Sequence, residues 1–213
     1  MSTPFHERLR ETNRAAWEAM QAHPFVRAVE GDRLPPAAFL RYLSYERDFV
    51  ATAIPIFAQA LIKAPGFAEQ CHLIAVLDAL ANSQLPYFDA TFAALHATPD
   101  PAGSFPPAVT AFRDRMHDIS RTGSYAEILT SMLAAEWMYA TWCTRAAARP
   151  IAEPHLAHWV ALHAAPEFAA QVAWLKRQVD EAAARVAEEE RDLLARHFGN
   201  TLEHIGWAIL MPQ

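Results

Sequence analysis

The chain has 213 residues, of which 53% are hydrophobic and 20% charged, with a formal net charge of −6. This is the composition of a folded chain, long enough to bury a sizeable core. The acidity and the absence of a concentrated basic block exclude a nucleic-acid footprint, which needs a basic stripe.

No run of about 18 uninterrupted apolar residues occurs, so no membrane span is expected. Residues 1–17 carry charges from position 6 onward and have no apolar h-region, so no signal peptide is expected. Cys71 and Cys143 are far apart in apolar helical patterns. They read as reduced structural thiols, with the cytoplasm as the expected location.

Glycine is scarce, at 6, and alanine abundant, and period-2 alternation is rare. The expectation is an all-α chain forming one domain over 1–213. The first helix is expected over 3–21, with Phe5, Leu9, Ala16, Trp17 and Met20 as its apolar stripe. His23-Pro24-Phe25 stops it, and a short turn follows over 26–30, closed by Gly31. A second helix spans 36–64, with Pro36 in its first turn and Pro55 as an expected kink. A third spans 67–96, with Pro86 expected to bend or split it.

Residues 98–107 are rich in breakers but short, and read as a loop inside a domain. Further helices are expected over 109–121, 125–148, 154–164, 167–187 and 188–210. The stretch 124–145 is apolar on nearly every side, the mark of a central helix, yet it carries Glu136 in its middle.

A carboxylate so placed is costly to bury unless paired, hydrogen-bonded or protonated. Glu203 lies in sequence among Phe198, Leu202, Ile205, Trp207 and Ile209, and Glu46 lies between aromatics, with Tyr42 and Phe49 at helical spacing. Either the three acids share one ring-lined pocket that holds a flat ligand, or each points outward or pairs with a base such as Arg47 or Arg145. His155 and His158, and His163 and Glu167, have spacings that can present two metal ligands from one face, but no pair of Glu-x-x-His motifs accompanies them. No metal is expected. No nucleophile elbow, P-loop or dinucleotide fingerprint is present.

Across nearly its whole length the chain resembles the TenA family, which comprises thiaminase II and related pyrimidine-salvage proteins. The resemblance rests on Trp17 followed by His23-Pro24-Phe25, and on Gly31-Asp32-Arg33-Leu34 leading to Phe39 and Tyr42. It continues in 124–129 (SYAEIL), Glu136-Trp137-Met138-Tyr139, and Phe198 through Trp207. It implies a haem-oxygenase-like helical bundle with a deep pocket, a homo-oligomer (dimer or tetramer), and no cofactor. The implied activity is hydrolysis of an aminopyrimidine or formylaminopyrimidine, a thiamine degradation product.

Carried over by position, the family's C-terminal glutamate matches Glu203 and its second-helix acid matches Glu46. The tyrosine three residues after that acid matches Phe49, and two further pocket tyrosines fall near Phe112 and His163. The position of the family's cysteine nucleophile falls on Ala135, beside Glu136. Cys143, eight residues on, points about 80° away at about 100° per residue.

The pattern therefore looks like the branch that lacks the thiol. On this reading Glu203 is the general acid/base and Glu136 its partner or water activator. Glu46 holds the amine, and Tyr42, Phe49, Phe112, Tyr139, His163 and Trp207 line the pocket. The partner is a small heteroaromatic amine. Two rival readings are a di-iron oxidase using Glu46, Glu136, His163 and Glu203, and a non-catalytic ligand-binding or regulatory protein.

Overall fold

A computed structural model describes residues 3–208, with the side chains of 207 and 208 outside that description. Eleven α-helices and no strand occur among the described residues. None is long and apolar enough to cross a membrane.

The expected first helix is two. α1 (Phe5–Thr12) and α2 (Arg14–Gln21) meet at Asn13, whose backbone leaves helical geometry at φ −107° and ψ 29°. Its side-chain Nδ2 donates to Leu9 O at 2.9 Å and to Ala195 O at 3.0 Å. Leu9 O still accepts the Asn13 N–H at 3.1 Å, so the amide adds a second donor there and ties the junction to a segment distant in sequence.

α3 (Pro24–Glu30) starts two residues earlier than expected. His23 Nδ1 accepts the Phe25 N–H as its cap, and Pro24 occupies the first turn, where no donor is needed.

α4 (Pro36–Lys63) runs unbroken through Pro55. The missing proline N–H leaves the carbonyl of Ala51, on the exposed side of the helix, without its intrahelical donor. The expected third helix is split as Pro86 demands. α5 (Phe67–Ala79) passes into a π-helical turn (Leu80–Gln84) and then into α6 (Leu85–Ala94). The wider turn accommodates a residue that can neither donate to Asn82 nor fit against its carbonyl.

The breaker-rich loop holds one 3₁₀ turn (Ala102–Ser104) and is pinned by Asp100 N–H donating to Ser44 Oγ at 3.0 Å. Then come α7 (Pro107–Thr122), α8 (Tyr125–Ala147), α9 (Pro154–Ala164), α10 (Pro166–Ala183) and α11 (Glu188–Ala208). α10 ends four residues before the expected point, where Arg191 Nε donates to its last carbonyl, Ala183 O, at 2.8 Å.

The chain divides into two compact units. The first comprises residues up to 34 and 129–206, and the second centres on 35–128. The boundary falls inside α8, not in the breaker-rich loop. The first unit's core contains Trp17, Trp137 and Phe198, with Trp17 and Trp137 centroids 4.9 Å apart. Lys176 Nζ lies 3.7 Å from the Trp137 ring centre, so the ring is capped by a cation. The second unit buries Tyr42, Phe57, Phe88 and Phe112 completely or nearly so. There Lys63 Nζ closes the end of α7, donating to Ser120 O at 2.8 Å and Gly123 O at 2.6 Å.

Candidate active site

In the first unit the central feature is α8. Every residue from 128 to 135 is buried, so the sides of the helix are covered as its sequence requires. Three polar atoms on its 129–147 portion are buried without a hydrogen-bond partner: Thr130 Oγ1, Glu136 Oε2 and Trp142 Nε1. Buried polar groups are normally satisfied, so three orphans on one helix mark a place that ordinary packing does not explain.

Glu136 is the consequential one. The residue is half-buried but its Oε2 is enclosed. Burial pushes its carboxyl up to about 8, while a hydrogen bond from the Gln171 side chain of α10 pulls the other way. At neutral pH this acid keeps its proton and is a donor.

His163, at the end of α9, is buried among Tyr139, Trp159 and Phe168, with ring centroids at 5.4, 3.9 and 4.8 Å. Its Nδ1 lies 3.0 Å from Trp159 O. Burial pushes the imidazole down to about 4, with the Trp159 carbonyl opposing. It is neutral at physiological pH, and the carbonyl fixes the proton on Nδ1. Tyr139 also meets Trp142, at 5.7 Å. The unit thus holds a proton-bearing acid and a neutral, ring-packed imidazole near its core.

Glu203 does not share that environment. It is exposed. The large apolar side chains that α11 buries are Leu194, Phe198, Leu202 and Ile205, a helical stripe from which residue 203 is turned by about 100° relative to its neighbour 202. Its apolar surroundings in sequence are therefore not its surroundings in space. The side chain of Trp207 lies outside the described residues.

In the second unit Glu46 is buried at 3% exposure and is engaged in an interaction, as is the fully buried Tyr42. Phe49 and Phe112 pack at 5.4 Å with planes tilted by 30°, so the two expected ring positions meet. Among the described residues no three His, Cys, Asp or Glu side chains gather as a metal site requires, which leaves the di-iron reading without a donor set.

Sequence reasoning missed Gln171, Trp159 and Phe168. Trp159 sits at i−4 from His163, a helical-neighbour signal that was available. Gln171 had none, since a glutamine on an amphipathic helix reads as surface.

The architecture has close counterparts. A TenA homologue from Pyrococcus furiosus superposes with a TM-score of 0.87 at 16% identity, over 97% of this chain and 100% of that one. A TenA family transcription regulator from Silicibacter sp. TM1040 gives 0.86 at 18% identity, over 98% and 97%. A candidate TenA-like thiaminase from Sulfolobus solfataricus P2 gives 0.76 at 16%, over 94% and 92%. At these identities the likeness establishes a TenA-like all-α fold. No curated protein matches the chain. Residues 10–205 match the model of the TENA/THI-4/PQQC family, and the chain belongs to that family.

Proposed function

We propose that this protein is a hydrolase of thiamine-related pyrimidines, acting on an aminopyrimidine or its formylamino derivative, with Glu136 as the proton donor. The observation that supports this most is the enclosed, unpartnered Glu136 Oε2, one residue after Ala135, on a carboxyl that burial holds protonated up to about pH 8. Family membership points to the substrate class, and the name of the Sulfolobus solfataricus relative points the same way.

A neutral carboxyl suits this chemistry. It hands its proton to the ring nitrogen or the departing amine, water supplies the hydroxyl, and ammonia leaves. With the formylamino compound, water adds to the formyl carbon, and formate and the free amine leave. Neither route needs a thiol, which accords with alanine at position 135. The neutral His163, with Tyr139 and Trp159, supplies ring surfaces for a flat heteroaromatic, and no basic side chain among them repels a protonated amine. The buried Glu46 is the candidate amine-holding group of the second unit.

The test is to incubate the protein with 4-amino-5-aminomethyl-2-methylpyrimidine and with its formylamino derivative, following ammonia and formate. Turnover by the wild type that is lost in Glu136→Gln supports the reading. Turnover of neither compound by the wild type, or full turnover by Glu136→Gln, overturns it. Glu203→Gln and Glu46→Gln, assayed alongside, assign the shares of the other two acids.

A further inference from the structure

The chain uses arginine almost throughout. Of its 18 lysines and arginines, only Lys63 and Lys176 are lysines. A guanidinium does not give up its proton in a protein, so these two carry the side-chain amines that can act as nucleophiles. Lys63 is committed, since its ammonium donates to three backbone carbonyls at the end of α7. Lys176, half-buried on α10, makes neither a hydrogen bond nor an ion pair among the described residues.

The surroundings explain why. Lys176 shares the Trp137 indole with two residues of α1. Its Nζ lies 3.7 Å from the ring centre, the Arg10 guanidinium 5.3 Å and the His6 ring 5.7 Å. Two carboxylates stand beside these three bases, and both are taken. Asp180 Oδ1 accepts the His6 backbone N–H at 2.8 Å, and its Oδ2 lies 2.7 Å from His6 Nδ1. Glu7 Oε2 pairs with Arg10 at 2.6 Å, and its Oε1 lies 3.5 Å from His6 Nε2.

An ammonium so placed loses water without gaining an acceptor. Burial pushes the Lys176 amine below the usual lysine range. The Glu7 charge opposes this, the Arg10 charge adds to it, and the Asp180 charge opposes it. The indole face attracts the cation but offers no lone pair to its protons. More of this amine than of a surface lysine is therefore in the free-base form that attacks a carbonyl.

Arg10 supplies the second element. Its side chain is 44% exposed and that of its partner Glu7 31%. A pair so exposed is worth little in water and yields to a competing anion. The guanidinium can then hold the acidic group of a molecule whose carbonyl reaches Lys176 across the same ring.

We propose that Lys176 is a covalent capture site for small aldehydes that carry an acidic group, with Arg10 holding that group. The amine nitrogen bonds to the carbonyl carbon, its two hydrogens leave with the carbonyl oxygen as water, and an imine remains. This site does not rest on the proposed hydrolysis, because capture needs no turnover and no part of Glu136.

The experiment adds pyridoxal 5′-phosphate, an aldehyde with a phosphate, to the full chain at neutral pH with Nα-acetyl-lysine in the same mixture. Borohydride fixes any imine, and peptide mass mapping reads where the label sits. Wild type, Lys176→Arg and Arg10→Met are compared. Lys176→Arg keeps a cation over Trp137, so a merely structural role survives it, and circular dichroism checks the fold of both variants.

Label at Lys176 is expected at least about fivefold above that at Lys63 and on Nα-acetyl-lysine, and absent from position 176 in Lys176→Arg. In Arg10→Met it should fall at least about fivefold, whereas acetaldehyde, which has no acidic group, should label the wild type and Arg10→Met alike. Label at Lys176 no greater than at Lys63 or on Nα-acetyl-lysine overturns the proposal. So does phosphate-aldehyde labelling that Arg10→Met leaves unchanged.

Discussion

The two units differ in which buried polar atoms are left without a hydrogen-bond partner. In the second, Arg41 Nε and Arg115 Nε are such atoms, but several other polar groups at helix ends and inside the core are paired. Lys63 gathers the carbonyls at the end of α7, Ser44 fastens the loop at Asp100, and Glu46 is buried but engaged. In the first, α8 carries three enclosed polar atoms with none, and the acid among them retains its proton. A satisfied acid rigidifies a core, whereas an unsatisfied one stores a proton that a substrate can take. The difference is what the proposed role of Glu136 rests on.

The largest expected effect comes from removing that stored proton. Glu136→Gln preserves shape and neutrality at pH 7, so the fold stays, but turnover should drop at least about 100-fold, within the usual range for a lost general acid. Measured kcat at equal thermal stability checks it, and an unchanged kcat would erase the contrast between the units.

Next is the opposite test, on a satisfied group. Lys63→Met removes a charged donor from the Ser120, Arg121 and Gly123 carbonyls and should cost about 3 kcal/mol by urea unfolding, with little effect on kcat.

Two titrations of opposite sign give the third test. Glu136 is raised from 4.5 to about 8, so the folded chain holds a proton the unfolded chain loses, and stability falls as pH rises through that window. His163 is lowered from 6.5 to about 4, so the unfolded chain binds the extra proton, and stability falls as pH drops through 6.5 toward 4. Between about 4.5 and 6.5 the two contributions cancel. Above 6.5 only Glu136 remains, and stability should decline by about 2 kcal/mol by pH 8, at about 1.4 kcal/mol per unit. In Glu136→Gln that decline should vanish and a rise between pH 4 and 6.5 should appear. A wild-type profile rising from pH 6.5 to 8 contradicts the Glu136 assignment, and a Glu136→Gln profile that stays flat between pH 4 and 6.5 contradicts the His163 one.

The smallest effect belongs to the first unit's one well-satisfied break. Asn13→Ala removes the amide that bridges Leu9 O and Ala195 O, and should lower stability by about 1 kcal/mol in the same unfolding assay. Gly199→Ala tests the same contact from the other side, since an added Cβ there meets the Asn13 side chain directly.

Much of the helix plan was legible because it depends on local chemistry. α9 begins and ends where its prolines and periodicity place it, and α8 falls within one residue of expectation. Pro86 announces a disturbance, although not that it takes the form of a π turn. The break at Asn13 was not legible, because its amide also bonds a carbonyl 182 residues away. The site divides in the same way. Glu136 stands out in sequence because its helix is apolar on every side. Glu203 appeared equally embedded, and is exposed because adjacency along a helix is not adjacency on its face.

The sequence by itself determined an all-α chain, its main helices, the family pattern, and the presence of an acid in the central helix. These follow from periodicity, proline placement and residue type, which act over a few residues. Only the tertiary structure decided which acid keeps a proton. That depends on how completely Oε2 is enclosed and on which side chain from α10 reaches it, and both are set by helices distant in sequence.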